Sequence, residues 1–191
     1  MNPLKTKSII LMANQLSSSS YTSMTNDVFL TFLGSDPSNG FIRNLYKALN
    51  EKGINTFIDD QEETKSSLRS LINVINHSRF AIIVFSENYA DSSFCLEVLS
   101  YILDTFRRRY GHPFIIPVFY NIDPSHVRNQ SGAYQIAFAK YEDKENKDKV
   151  LKWRNALSQV ADFSDRWQFN HSKVQFQVAV SHWVSNTSGS L

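Results

Sequence analysis

The order of apolar segments along the chain constrains its fold more than any other feature. The run Phe80–Phe85 is apolar throughout, as expected for a strand that is covered on both faces of a parallel sheet. Asp27–Phe32 is a second strand-like run, and Phe41–Lys52 between them repeats apolar residues with helical spacing before Gly53. Strands that alternate with helices predict an α/β fold with an open, doubly wound parallel sheet.

Later segments continue this alternation. Further strands are expected at 54–58 and 114–120, and further helices at 68–75, 95–106, 132–141 and 150–163. Pro117 cannot donate a ladder hydrogen bond, which favours a less central position for the last strand. Ligands of doubly wound sheets bind beyond the carboxyl ends of the strands. The loops of interest are therefore 33–40, 59–67, 86–93 and 121–131.

Length and charge limit the classes of function. A chain of 191 residues can bury one sizeable core and form one domain with short tails. Its formal net charge of +2 gives no strong pull toward nucleic acid. The single cysteine, Cys95, excludes an internal disulfide framework and favours a reducing compartment. No apolar run is long enough to span a bilayer.

Six ordered motifs carry a resemblance to one family. They are similar to the successive motifs of plant TIR domains, the Toll/interleukin receptor type, over residues 26–165. The motifs lie at Asp27–Asp36, Leu45–Leu49, Gly53–Phe57, Val84–Ala90, Asp123–Arg128 and Trp153–Arg154. The resemblance implies a flavodoxin-like, five-stranded parallel sheet and a role in plant innate immune signalling through association with other TIR domains. It also implies a TIR-only protein of the cytoplasm, with the nucleus left open.

Many members of that family cleave nicotinamide from NAD. The resemblance places NAD-contacting positions at Phe32, Gly34, Asp36, Ser92 and Phe94. Cleavage needs a fixed negative charge near the ribose, where an oxocarbenium-like cation develops. In the family a glutamate on the helix after the third strand supplies that charge. It lies four residues after an aromatic residue, whose position in this chain is Phe94.

The glutamate position in this chain is Val98. We therefore expect no confident catalytic residue and no required cofactor, with NAD left as a possible substrate or ligand. The alternative is an NAD hydrolase or cyclase that uses Glu97 or another acid.

Glu97 is a weak substitute because of its direction on the helix. At about 100° per residue, Cys95, Leu99 and Ile102 mark the apolar face, and Glu97 groups with Ser100 and Asp104 on the opposite side. We expect its carboxylate to face water.

The loop 59–67 also lacks the glycine and proline that let the family's loop move over the cleft.

The association surface also departs from the family. A Ser-His pair of plant relatives is replaced by Arg43 and Asn44, and two arginines facing each other across a two-fold axis repel unless an acid answers them. The other interface positions keep the family's form, and they are Gly132, Lys152, Trp153 and Arg154.

Other candidate sites have plainer interpretations. Arg107–Arg109 could contact phosphates in a nucleic-acid-dependent enzyme, but cations near a helix C-terminus also suit the helix dipole. Cys95 is expected to pack in the core, and the five histidines show no metal-ligand spacing, so no metal is predicted. The acids that follow Ile58, beginning at Asp59, are expected to form a solvated face. Trp153 and Trp167 are expected to serve packing.

Both ends of the chain differ in character from the middle. Residues 1–25 contain no acid and a serine run, which predicts a disordered arm, with a transit peptide as the alternative. Residues 166–191 form an extension for which family analogy favours a packed helix. Val174, Phe176, Val178 and Val180 instead alternate as in a strand.

Overall fold

The protein is described here by a computed structural model that covers residues 24–35, 39–59, 68–110 and 114–163. The predicted N-terminal arm as far as residue 23, Asp36, Trp167 and the C-terminal extension lie outside these described residues. Within the described part of the chain, no helix has the length and apolar character needed to cross a membrane.

Strands and helices alternate in the described residues. The strands are β1 (Asn26–Thr31), β2 (Thr56–Asp59), β3 (Ser78–Phe85) and β4 (Ile115–Phe119). The helices are α1 (Asn39–Glu51), α2 (Leu68–Asn76), α3 (Ser93–Tyr110), α4 (Pro124–Asn129), α5 (Ala133–Glu142) and α6 (Lys147–Ala161). A 3₁₀ turn at Tyr89–Asp91 precedes α3.

The four described strands form one parallel sheet in the order β2-β1-β3-β4. Thr31 pairs with Asp59 on one side and with Ile83 on the other, so the carboxyl ends of these three strands lie close together. The parallel sheet with its helices confirms the predicted fold class, and the described residues contain four strands where five were expected. β4, which contains Pro117, is an outer strand of the described sheet, in agreement with the less central position that its proline predicted.

The core has one layer on each face of the sheet, because successive strand residues point to opposite faces. Val28, Leu30, Ile82 and Val84 pack on one face with α1. The other face is covered by apolar side chains of α2, α3, α5 and α6. Its strand residues are Phe29, Ala81, Ile83, Phe85 and Ile115.

Two local features show how well turn signals predict structure. Gly53 has a φ of +74°, which confirms the predicted glycine stop of α1. The segment 121–131, expected to be a loop, instead contains the short helix α4. Asp123 caps this helix by accepting the Ser125 backbone N–H at 2.8 Å, and Pro124 occupies its first turn.

Candidate functional site

The loop that joins β3 to α3 is held in place by tyrosine hydroxyls. Tyr134 Oη donates to the Ser86 carbonyl at 2.9 Å, and Tyr141 Oη donates to the carbonyls of Ala90 at 3.0 Å and Asp91 at 2.8 Å. Both tyrosines belong to α5. The loop therefore enters α3 with a fixed backbone path, which sets the direction of every side chain in its first turns.

Two tyrosine hydroxyls near this loop, those of Tyr89 and Tyr141, have raised pKa values. Burial raises the pKa of Tyr89 well above its usual value, and its hydroxyl donates to the Cys95 carbonyl at 3.2 Å. Partial burial, with the nearby charge of Asp91, raises the pKa of Tyr141 to about 12. Both groups therefore remain neutral donors at physiological pH.

The first turn of α3 lies beside the end of β1. The Cys95 backbone N–H donates to Ser92 Oγ at 3.2 Å, and Cys95 Sγ lies 3.9 Å from the Phe32 carbonyl oxygen. Ser92 and Phe94 are half-buried, whereas Phe32 and Gly34 are buried. The structure thus brings the predicted positions Phe32, Ser92 and Phe94 to one end of the sheet. Asp36 lies outside the described residues.

Val98 is part of the hydrophobic core. Its side chain is 0% exposed and packs in the cluster that α3 forms with the sheet. On the helix it shares a flank with Phe94 and Tyr101, and Tyr101 Oη donates to Asn76 Oδ1 of α2 at 3.2 Å. The position expected to hold the family's catalytic carboxylate is therefore a buried hydrocarbon on the side of α3 that faces α2.

Glu97 points in a different direction from Val98, but it does not simply face water. The indole Nε1 of Trp153 donates to Glu97 Oε2 at 3.0 Å, and Trp153 itself is 0% exposed. Our prediction of a solvated Glu97 was therefore wrong. The carboxylate is half-buried and accepts a hydrogen bond from the core of α6.

The reason for this error is that α6 packs along the polar side of α3. Asp104 pairs with Lys152 at 3.0 Å, and Arg107 hydrogen-bonds to Gln159 further along the two helices. Glu97, Asp104 and Arg107 thus all contact α6. Together these contacts turn Glu97 toward α6 and away from the flank of Val98.

Asp59 also departs from the prediction. It was expected in a solvated acidic loop, but it is the last residue of β2 and only 2% exposed. Its register partner is Thr31, which is fully buried, and its charge is one cause of the raised pKa of Tyr89. Strand β2 therefore extends through Asp59, and residues 60–67 lie outside the described residues.

The predicted interface residues divide into exposed and buried ones. Arg43, Asn44, Gly132 and Lys152 are exposed. Gly132 has a φ of +62°, which favours glycine. Trp153 is fully buried, so its assignment to an interface was wrong and its predicted packing role is confirmed.

Arg154 is engaged within its own chain. Its guanidinium pairs with Glu142 at 2.6 Å and lies 4.3 Å from the centre of the Phe138 ring. This side chain therefore fastens α6 to α5, and its contribution to an interface stays a prediction.

The arginine run has intramolecular partners. Arg108 donates to the Asp104 carbonyl at 3.1 Å, and Arg109 donates to the Ser78 carbonyl at 3.0 Å and also to the Asn76 carbonyl. The Arg108 contact lies within α3, and the Arg109 contacts tie the end of α3 to the junction between α2 and β3. They support the plainer interpretation of the run.

Cys95 is fully buried, which confirms its predicted packing role.

A groove of about 310 Å³ lies between α3 and α6. Ser100, Leu103 and Ala156 are at its base, and Asp104 and Lys152 are among the charged residues that line it. It borders the second half of α3 rather than the first turn. Ser92 and Phe94 do not line it, so it is not the predicted NAD position.

Comparisons with known proteins agree on one family. A family model described as TIR domain matches residues 26–190. Disease resistance protein RPV1 from Vitis rotundifolia is 43% identical over 156 residues, covering 78% of this chain and 11% of that protein. TMV resistance protein N from Nicotiana glutinosa is 43% identical over 150 residues, covering 76% of this chain and 13% of that protein. The chain thus spans little more than a tenth of these relatives.

A solved structure is similar over most of the chain. The TIR domains of the activated Roq1 resistosome, which directly recognises the pathogen effector XopQ, match with a TM-score of 0.70 and 42% sequence identity. The match covers 82% of this chain and 97% of that one.

Proposed function

Because this chain belongs to the TIR domain family, we propose that it is a module of plant immune signalling that acts by docking onto other TIR domains, without cleaving NAD. Similar proteins are named disease resistance proteins, and the similar solved TIR domains are part of a resistosome. The family membership expected from six sequence motifs is confirmed. We place the protein in the cytoplasm or nucleus, which suits its single buried free cysteine.

The proposal that NAD is not cleaved rests on charge. Nicotinamide leaves as a neutral base, so cleavage depends on stabilising the positive charge that develops on the ribose. The observation that carries the proposal is the pair of neighbours on α3. Val98 is a buried hydrocarbon, and the carboxylate of Glu97 is hydrogen-bonded to Trp153.

The size of the missing effect can be estimated. A carboxylate about 4 Å from a unit positive charge contributes about 4 kcal/mol at an effective dielectric constant near 20. That contribution corresponds to roughly a thousandfold in rate. Displacing a catalytic group by about 1 Å already costs about a hundredfold, and Glu97 is turned by about 100° from the flank of Val98. We therefore expect a residual rate at least two orders of magnitude below that of an active relative.

Nicotinamide release from NAD tests this proposal. The purified chain at high concentration is compared with Val98→Glu, which returns an acid to the family position, and with the isosteric control Val98→Thr. We expect release by the unaltered chain and by Val98→Thr to be at least about a hundredfold slower than release by an active relative. Turnover by Val98→Glu alone would indicate that the remaining pocket is competent and that the missing acid is the cause.

Two further variants identify any unforeseen acid. Robust turnover by the unaltered chain would contradict the proposal and favour an NAD hydrolase or cyclase. If that turnover is lost in Glu97→Gln, then Glu97 reaches the substrate despite its bond to Trp153. If it is lost in Asp59→Asn instead, the buried acid at the end of β2 takes part.

Docking is supported by the surfaces that stay accessible. Arg43 and Asn44 are exposed on α1, and Gly132 and Lys152 are exposed at α5 and α6. These two groups of residues are our candidates for contacts with other TIR domains.

A further inference from the structure

His126 and Ser131 form a hydrogen-bonded pair at the junction between α4 and α5, outside the site described above. His126 Nδ1 lies 2.8 Å from Ser131 Oγ. His126 is exposed and Ser131 is half-buried, so water and small molecules can reach the pair. A hydroxyl within about 2.6–3.2 Å of an imidazole nitrogen is the arrangement in which serine serves as a nucleophile.

The backbone that carries the pair is fixed by its own turn and by α6. Gln130 and Gly132 have φ angles of +47° and +62°, and the Ser131 N–H donates to the His126 carbonyl at 3.1 Å. The side-chain amide of Gln130 also donates to Ser158 Oγ of α6 at 3.0 Å. The hydroxyl and the imidazole are therefore held together by bonds other than their own, which is a requirement for a nucleophile and its base.

The start of α5 adds hydrogen-bond donors next to this pair. Gly132, which follows Ser131, is the N-cap of α5 and has no side chain to cap the helix. The first N–H groups of α5 have no partners within the helix and lie at the positive end of its dipole. Such donors stabilise the oxyanion that forms when a hydroxyl attacks a carbonyl carbon. A Cβ at position 132 would lie 3.5 Å from His126 Nδ1, so glycine also keeps the approach to the pair open.

A carboxylate lies on the other side of the imidazole. Hydrogen bonds from Ser125 and, to a smaller extent, the charge of protonated His126 lower the pKa of Asp123. Asp123 is therefore within electrostatic range of His126, and the His126 backbone N–H donates to the Asp123 carbonyl at 3.0 Å. The junction thus brings together a carboxylate, an imidazole, a hydroxyl and a helix N-terminus.

We propose that Ser131 is a nucleophile that accepts acyl groups from activated esters, with His126 as its general base. Ser131 Oγ forms a bond to the carbonyl carbon while the ester C–O bond breaks. The hydroxyl proton passes to Nδ1 of the neutral His126 tautomer that carries its hydrogen on Nε2, and then to the departing oxygen. The products are acyl-Ser131 and the free alcohol, and attack by water on acyl-Ser131 by the same route releases a carboxylic acid. Because the pair is exposed, it suits small esters or acyl groups at the end of an extended carrier.

Acetylation by p-nitrophenyl acetate tests this proposal on the full chain. Samples are quenched in acid, and peptide mass spectrometry measures the rate at Ser131 and at Ser125 of the same molecules. Ser125 is an exposed serine whose hydroxyl hydrogen-bonds to Asp123 rather than to an imidazole. His126→Asn keeps a hydrogen-bonding group near the position of Nδ1 but removes the base. The matched control is His77→Asn, because His77 Nδ1 contacts a backbone carbonyl at 2.7 Å rather than a hydroxyl.

A positioned base typically contributes about 10²–10⁴-fold in rate. At this exposed pair we expect Ser131 to be acetylated at least about tenfold faster than Ser125. That advantage should be lost in His126→Asn and kept in His77→Asn, with circular dichroism confirming that both variants are folded.

Equal rates at Ser131 and Ser125 in the unaltered chain would overturn the proposal and leave the pair as a closure of the turn. This comparison needs no variant, so it decides the question even if His126→Asn does not fold. Fast acetylation of Ser131 that persists in a folded His126→Asn would overturn the role of His126 as the base. The proposed docking and the absence of NAD cleavage do not depend on any of these results.

Discussion

The hydrogen bond between Glu97 and Trp153 makes a prediction that separates a structural role for Glu97 from a catalytic one. Trp153 is 0% exposed, so its indole N–H cannot turn to water when the acceptor is removed. An unpaired buried donor costs about 1–3 kcal/mol. We expect Glu97→Leu to lower the free energy of unfolding by about 2 kcal/mol, and the melting temperature by about 4–8 °C for a chain of this size.

Conservative variants sharpen that prediction. Glu97→Gln keeps an oxygen that can accept the indole N–H, so we expect it to lose less than about 1 kcal/mol. Trp153→Phe removes the donor and part of the packing volume. Combined with Glu97→Leu in a double-mutant cycle, it should show a coupling energy of about 1 kcal/mol or more. Urea unfolding monitored by circular dichroism measures all four members of the cycle.

A coupling energy below about 0.3 kcal/mol would refute this reasoning, because residues in direct contact rarely behave as independent. It would mean that Glu97 is not held by Trp153. The carboxylate would then be available to the cleft, and the distinction between positions 97 and 98 would lose its structural basis.

Three further predictions concern stability. Val98→Glu places a carboxyl group at a fully buried position and should lower stability by roughly 2–4 kcal/mol at neutral pH. Burial raises the folded pKa of the new acid, so its loss of stability should be smaller at about pH 5 than at about pH 8 in urea titrations. Tyr141→Phe removes the hydroxyl that binds two loop carbonyls and should cost about 1 kcal/mol by thermal melting. The pKa of Tyr141 is raised to about 12 in the folded protein. The stabilisation by its neutral hydroxyl is therefore complete below the pKa of the unfolded chain and is lost as pH rises through the pKa of the folded protein. An ultraviolet titration of Tyr141 measures this folded pKa. Hydrogen bonds from Ser125 lower the pKa of Asp123 in the folded protein. The stabilisation by the ionised Asp123 is therefore present above the pKa of the unfolded chain and is lost as pH falls through the pKa of the folded protein. A carbon-13 NMR titration should therefore place Asp123 below its ordinary pKa, and Ser125→Ala should move it upward.

The order of strands and helices was predictable because burial leaves a local record in the sequence. Phe80–Phe85 is apolar at every position since β3 is paired on both sides and covered on both faces. Gly53 marks the end of α1 because only glycine adopts a positive φ at little cost. These signals lie within the elements that they specify.

The site was harder to predict because it depends on contacts between distant segments. Helical spacing gave the angle between Glu97 and Val98, but it could not show that α6 covers the polar side of α3. The partner, Trp153, is 56 positions away in sequence. Asp59 was misplaced for a similar reason, since an acid that begins a charged run gives no local sign of belonging to a buried strand.

The central claim is that, on the described helix α3, neither Val98 nor Glu97 places a carboxylate where the positive charge of a cleaved ribose would develop. Nicotinamide release by the unaltered chain, followed by chromatography at high protein concentration with an active relative as positive control, tests it most directly. The account predicts protein-dependent release at least about a hundredfold slower than that of the active relative. Sustained, protein-dependent release that disappears in Glu97→Gln while the fold is retained would contradict it.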